Sequence, residues 1–213
     1  MRGTLVVILF LALGSFCGLA ADTFRAAADA AGTVVLWFLG QEVTADVRAD
    51  VTLSGTLLLD GVATPFTVSG RATGSGAGNL NTLAADAMIV FTAEGKTESG
   101  TPLAIQGGIS VDGLDAATTT ATSGQGHGRF YFLITMAGGR WTVEGDATGT
   151  VSGSFVVPDD PVSMQMTGAG TFTLSGEVRP WSPSAGAVYP EWPAKLLAEL
   201  ERQSASTEDA PGK

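Results

Sequence analysis

Hydrophobic and polar residues alternate along much of this chain with a period of two. Between residues 43 and 53 every odd position is apolar and every even position is polar. Successive side chains of a β-strand point to opposite faces, so this pattern predicts a strand with one buried and one solvated face. Three stretches of this kind, 43–59, 140–157 and 163–178, are about three times as long as the common strand of five or six residues.

Short turn sequences separate the predicted strands. Asp60-Gly61 and Gly138-Gly139 lie between apolar stretches and are typical of hairpins whose turns need positive φ. Asp112-Gly113, the sequence EGK at 94–96 and the sequence PDDP at 158–161 predict further turns. Strands joined by such short turns are antiparallel neighbours, which predicts a meander of roughly nine or ten strands.

Glycines fall inside the longest predicted strands, where they mark bulges or sharp bends. Long strands that bend at glycines are what a closing sheet requires. The predicted fold class is therefore all-β, an antiparallel meander that forms a barrel or a strongly coiled sandwich. The glycines in question are Gly55, Gly145, Gly149, Gly153, Gly168, Gly170 and Gly176.

The first residues have the pattern of a secretory signal peptide. Arg2 supplies a positive charge, residues 5–13 are all apolar, and residues 14–20 are mostly small. We therefore predict a signal peptide at 1–20, a β-barrel or sandwich domain at 21–180, and a secreted or periplasmic protein. Within that domain, the alanine-rich residues 22–32 predict a short helix before the first strand.

The end of the chain also differs from its middle. Residues 181–203 predict a proline-rich linker followed by a short C-terminal amphipathic helix, with Leu196, Leu197 and Leu200 on one face. Residues 204–213 lack the apolar content to fold and predict a disordered tail.

Charge and cysteine content restrict the partners and the means of stabilisation. The net charge of −10 argues against nucleic acids and anionic membrane surfaces as partners. The only cysteine, Cys17, lies within the predicted signal peptide, so the mature chain has no thiol and depends on its core for stability.

No catalytic motif is found in the sequence, and we predict neither an enzyme nor a cofactor nor a metal site. His127 is the only histidine and stands among glycines, which predicts a loop residue, and one histidine without cysteines does not make an ordinary zinc site. Asp46 and Asp50 flank Arg48 on the polar side of one predicted strand, the pattern of a solvated charge ladder rather than of an acid/base pair.

An aromatic stretch near the middle of the chain is the most unusual feature. Phe130 and Phe132 share one face of a predicted strand while Tyr131 and Leu133 occupy the other, so both faces need cover. In a barrel, one face lines the interior and the other lies under the terminal helix, a partner or a ligand. The residues predicted to bind an apolar ligand are Trp37, Phe130, Phe132 and Trp141.

The meander, the export signal and the apolar interior are similar in general to lipocalin-type barrels, although the early glycine-x-tryptophan signature is missing, so this resemblance concerns the fold alone. We expect an exported, non-catalytic protein of a bacterial envelope that binds a small apolar ligand or a partner surface. The alternatives are a structural or adhesive surface component without a pocket and, from the same alternation, an outer-membrane barrel that faces lipid.

Overall fold

Eight long antiparallel strands form a closed barrel in which each strand pairs with the next and the last pairs with the first. A computed structural model describes residues 21–79, 81–82, 84–116, 123–156 and 163–182. This part of the chain contains no helix. The prediction of an all-β antiparallel meander is confirmed, and of the two predicted forms it is the barrel. The strands are β1 (Thr23–Leu39), β2 (Glu42–Leu59), β3 (Val62–Asn79), β4 (Ala84–Thr97), β5 (Pro102–Ala116), β6 (Ser123–Met136), β7 (Gly139–Val156) and β8 (Ser163–Pro180).

The strands are strongly staggered around the barrel. Following backbone partners once around, a path that starts at Thr33 of β1 returns to β1 at Thr23, ten residues earlier, through Arg48, Thr73, Val90, Gly108, Tyr131, Glu144 and Glu177. In barrels of eight strands the interior is just wide enough either to be filled by side chains or to hold one small ligand.

One face of each strand points into the barrel and carries the apolar residues. In β1 the buried residues Phe24, Ala26 and Ala28 alternate with the exposed residues Arg25 and Ala27. The other strands continue this alternation, and their inward side chains form a single hydrophobic core. The two ends of the barrel differ. We call the end that holds Thr23 and Pro180 proximal, and the opposite end, where β1 turns into β2 at residues 40–41, distal.

The hairpin turns agree in part with the predicted turns. Asp60 and Gly61 both have positive φ, 49° and 78°, as the prediction required. The next such turn consists of Ala137 and Gly138, with φ of 49° and 79°, one residue before the predicted position.

Two predicted turns are wrong, and this explains why eight strands are found instead of nine or ten. Asp112-Gly113 lies inside β5, where the register with β6 shifts between Val111 and Leu114, as in a β-bulge. Residues 94–96 lie inside β4, and the chain turns only at residues 98–100. A side chain at Gly95 would clash with the carbonyl oxygen of Thr67, so this glycine permits close strand packing rather than a turn.

The prediction of a short helix at 22–32 is also wrong, because these residues form the first half of β1. Alanine favours helices, but the alternation of buried and exposed residues here has the period of a strand, and pairing with both β2 and β8 supplies the backbone hydrogen bonds. The predicted signal peptide, the PDDP turn, the C-terminal helix and the tail lie outside the described residues.

Candidate ligand site in the barrel lumen

The proximal part of the interior is completely filled by side chains. Phe132 contacts the rings of Phe91 and Phe130, with ring centroids 4.4 Å apart for Phe130 and Phe132 and 5.0 Å apart for Phe91 and Phe132. Phe24 adds contacts to Phe66, Phe130 and Phe132 at centroid distances of 5.6–5.7 Å. The neighbouring aliphatic side chains Leu53, Ile105, Val143 and Leu174 are each 0% exposed. This half of the barrel is packed as a solid core.

The inward-facing side chains become partly accessible toward the distal end. Val51 and Ile109, at 7% exposure, and Phe172, at 8%, form the distal surface of the packed core. Beyond them the inward positions of β1, β2, β7 and β8 are half-buried. We call this region the distal lumen, and its residues with side chains include Val34, Leu36, Val47, Val151, Met164 and Met166.

Glycines leave part of the wall of the distal lumen without side chains. Gly168 of β8 pairs with Gly32 of β1 on one side and with Gly153 of β7 on the other, so three adjacent strands present bare backbone to the interior. A Cβ atom placed on Gly168 would have a single close neighbour among the described residues, the carbonyl oxygen of Ser152 at 3.3 Å. Among the described residues, the interior in front of Gly168 therefore has room for a Cβ atom.

Several other strand glycines have a different role, among them Gly32 in the distal lumen, where an added Cβ would clash with the carbonyl oxygen of Arg48. At Gly145 an added Cβ would clash with the carbonyl oxygen of Ser175, and at Gly55 with that of Arg25. Both clashes involve backbone of the neighbouring strand, which approaches closely where the sheet bends. Here glycine allows the strands to bend and the barrel to close, which is the role predicted for glycines inside the long strands.

The chemistry of the distal lumen is uniformly apolar. Of the inward-facing side chains that the structure describes, only Thr64, Thr97 and Trp141 carry an O–H or N–H group, and all three lie near the proximal end. Val34 pairs with Val47 on β2 and with Met166 on β8. Two branched aliphatic side chains and one flexible thioether side chain therefore lie next to one another in this part of the wall. These residues can make only hydrophobic contacts with a molecule in the distal lumen. Among the described residues that line it, no charged or hydrogen-bonding side chain is present to orient such a molecule.

The structure separates the four residues predicted to bind a ligand. Phe130 and Phe132, at 1% and 0% exposure, lie inside the packed core. Trp141 faces inward at the proximal end, partly buried against that core. Trp37 lies on the outer face near the distal end and is 40% exposed. The two phenylalanines are in contact, but Trp37 is not in the lumen, and the four residues do not form one surface.

The polar residues considered for catalysis all lie on the outside of the barrel. His127 is not in a loop: it belongs to β6, pairs with Thr148 of β7 and is exposed. Asp46, Arg48 and Asp50 are exposed on the outer face of β2, as expected for a solvated charge ladder. Among the described residues no group of three or more His, Cys, Asp or Glu side chains is placed to hold a metal ion.

The distal lumen itself was not predicted, although the sequence contains a signal for it. Glycine occurs at alternate positions in GSGAG at 74–78, GQGHG at 124–128 and GAG at 168–170. Alternate positions of a strand share one face, so these runs remove side chains from one face of β3, β6 and β8 near the same end of the barrel.

Comparison with known proteins gives no family for this chain. No protein-family model matches it, and neither does any curated protein or solved structure. Within the described residues no helix is long and apolar enough to cross a membrane.

Proposed function

We propose that this protein is an exported carrier that binds one small apolar molecule in the distal lumen. The observation that carries the proposal is the contrast inside the barrel. The proximal interior is filled by fully buried aromatic and aliphatic side chains, while distal inward positions are half-buried and a Cβ on Gly168 would have a single close neighbour among the described residues. Ligand pockets are mostly apolar, concave and preformed, and the mouths of β-barrels are among their common locations.

The ligand class follows from the wall of the lumen. Apolar surface contributes roughly 25 cal/mol per Å² removed from water, and the described wall offers little else. The ligand is therefore largely hydrocarbon. The two methionines, Met164 and Met166, suit a ligand whose shape varies, because thioether side chains adapt their conformation to irregular surfaces.

The surface of the barrel supports a protein that works in water. Outward positions of the strands are occupied mainly by threonine, serine and charged residues, such as Arg25 and Asp29 on β1 and Asp46 and Arg48 on β2, all exposed. A barrel embedded in an outer membrane instead presents an apolar band to lipid and a polar interior. Export is supported by the pattern of residues 1–20, whose removal leaves all eight strands, from Thr23 onward, intact.

The first test is native mass spectrometry of the exported protein, purified without detergent. We expect a chain that begins near Ala21 or Asp22 and carries one discrete additional mass that organic solvent extracts. A bare chain that also fails to bind an uncharged fluorescent probe such as N-phenyl-1-naphthylamine contradicts the carrier and favours a structural role without a ligand. A chain that still carries residues 1–20 contradicts the cleaved signal peptide.

A matched pair of variants locates the bound molecule. Gly168→Leu places a side chain inside the distal lumen, and we expect it to weaken probe binding by about tenfold or more, which corresponds to about 1.4 kcal/mol. Ala169→Leu adds a larger side chain at the next position, which is exposed on the outer face, and leaves binding unchanged. If both variants bind the probe equally well, the ligand does not occupy the lumen.

A further inference from the structure

One side of the outer wall is buried although it faces away from the lumen. Val90 of β4 lies between the inward-facing residues Ile89 and Phe91, so its side chain points outward, yet it is 0% exposed. Thr142 of β7 also points outward and is 8% exposed. A valine on an outer wall whose neighbour is a glycine cannot be shielded from water by that wall alone.

Buried positions on β4, β5 and β7 are joined by two half-buried residues of β6 into a continuous strip across four strands. Val90 pairs with Gly108 of β5, which pairs with Tyr131 of β6. Leu133, two residues further along β6, pairs with Thr142. Gly108 has no side chain, so the wall has a depression between Val90 and Tyr131. We call this strip the outer groove, defined by Val90, Gly108, Tyr131, Leu133 and Thr142.

On the opposite side of the barrel, the described strands carry no fully buried outward residue. Outward residues of β1, β2 and β8 at comparable positions, among them Asp29, Arg48, Asp50 and Thr171, are exposed and polar. Among the described residues, fully buried outward positions therefore occur only on β4, β5 and β7, at Val90, Gly108 and Thr142, which indicates that a specific part of the molecule covers this side.

The short connections at the distal end do not reach the whole groove. Thr142 lies fourteen residues before Val156, the end of β7, which is about 46 Å at about 3.3 Å per residue. The connection at 157–162 has six residues and spans at most about 21 Å. The connection at 117–122 has the same length, and Leu133 lies ten residues beyond Ser123, the start of β6. Of the stretches outside the described residues, only the two ends of the chain are long enough to cover the whole groove.

The C-terminal end leaves the barrel beside the groove. The backbone N–H of Trp181 donates to the carbonyl oxygen of Arg140 at 3.0 Å, which places the end of the described chain next to β7, two residues from Thr142. Thirty-one residues, 183–213, follow Ser182. They include Leu196, Leu197 and Leu200, whose spacing predicts one apolar face of an amphipathic helix.

We infer that residues 183–213 cover the outer groove, with the leucine face of 194–203 against Val90, Gly108 and Tyr131. The segment thereby gives the aromatic strand β6 cover on both faces: Phe130 and Phe132 are covered from inside the barrel, and Tyr131 and Leu133 from outside. This role is independent of any ligand in the lumen.

Disulfide cross-linking in the full chain tests the inference. Cys17→Ser leaves the protein without thiols, so cysteines can be introduced in pairs. We expect Val90→Cys to form a disulfide within one chain with at least one of Leu196→Cys, Leu197→Cys and Leu200→Cys under mild oxidation. Arg48→Cys, on the opposite wall, is the control and forms none. If Val90→Cys cross-links with none of the three, or only between two chains, the inference is overturned.

Thiol reactivity provides a second, independent measurement. In the full chain, Val90→Cys should react with a maleimide at least about tenfold more slowly than Arg48→Cys, because reaction requires access to the thiolate. In a chain that ends at Ser182, and whose far-UV circular dichroism remains that of a β-barrel, the two rates should become similar. Protection that persists after this truncation overturns the inference and assigns the cover to a part of the molecule other than residues 183–213. Should the shortened chain fail to fold, the cross-links decide.

Discussion

The proximal and distal halves of the barrel interior are built from the same strands but are packed in opposite ways. Toward the proximal end, large side chains such as Phe24 and Phe132 fill the lumen and glycines occur where neighbouring backbone leaves no room for a Cβ. Toward the distal end, inward positions are half-buried, and a Cβ on Gly168 would have a single close neighbour among the described residues. The proximal half of the strands therefore provides most of the packed core, the proposed binding site lies in the distal half, and a substitution is expected to have different effects at the two ends.

The largest expected difference comes from removing an aromatic ring at each end. Phe132→Ala should lower the free energy of unfolding by about 3–5 kcal/mol, because it leaves a cavity in a region where three other rings contact this one. Phe38→Ala, at a half-buried inward position near the distal end, should cost about 1 kcal/mol. Urea denaturation measures both. Equal losses would show that the distal half is packed as tightly as the proximal half.

A methyl group added to glycine gives the next largest difference. Gly145→Ala should destabilise the barrel by about 1–3 kcal/mol, since the new Cβ clashes with the backbone of β8. Gly168→Ala should change stability little, because reduced freedom of the unfolded chain contributes about 0.4–1 kcal/mol and offsets the small adjustment needed at Ser152. Thermal unfolding followed by circular dichroism compares the two. A large loss at Gly168 would mean that this position is closed rather than open.

The smallest expected effect is that of a single methylene. Val143→Ile enlarges a side chain that is 0% exposed in the proximal core and should cost about 1 kcal/mol through overpacking. Val34→Ile adds the same group in the distal lumen, where it should change stability by less than about 0.5 kcal/mol. Both residues are β-branched before and after the change, so strand preference is constant. A greater loss at Val34 than at Val143 would reverse the assignment of the two halves.

Alternation of apolar and polar residues was sufficient to predict most of the fold. It defined β2, β7 and β8 nearly to their ends, and Asp60-Gly61 fixed one turn. The wrong predictions, two turns and one helix, concern residue types that occur in more than one kind of local structure. Glycine serves both in turns and where strands approach closely, which is why Gly95 and Gly113 were taken for turn residues. Alanine favours helices in isolation, but in β1 it provides small inward side chains between two neighbouring strands.

The candidate site was harder to predict, because it is formed where glycines leave the wall of the lumen without side chains. Large aromatic residues were the basis for predicting a ligand site at Phe130 and Phe132. In the structure these two side chains belong to the packed proximal core. Whether Gly168 faces open space depends on which residues lie on the adjacent strands, and the sequence does not show that Gly32 and Gly153 are its partners. Side-chain period identifies an inward face, whereas the height of a residue in the barrel depends on the stagger of all eight strands.

Pairing of β1 with β8 has a consequence for how the chain reaches its folded state. Across this seam the hydroxyl of Thr171 donates to the carboxylate of Asp29 at 3.1 Å, over a separation of 142 residues. Every other strand pair is formed by neighbours along the chain, so this seam is the only contact of high sequence separation between paired strands, and such contacts form slowly. Until β8 has emerged from the ribosome, β1 presents an unpaired edge seventeen residues long, the kind of edge that promotes aggregation. The barrel therefore cannot close until synthesis of the chain is nearly complete, which would keep a chain exported as proposed open for its passage through a membrane.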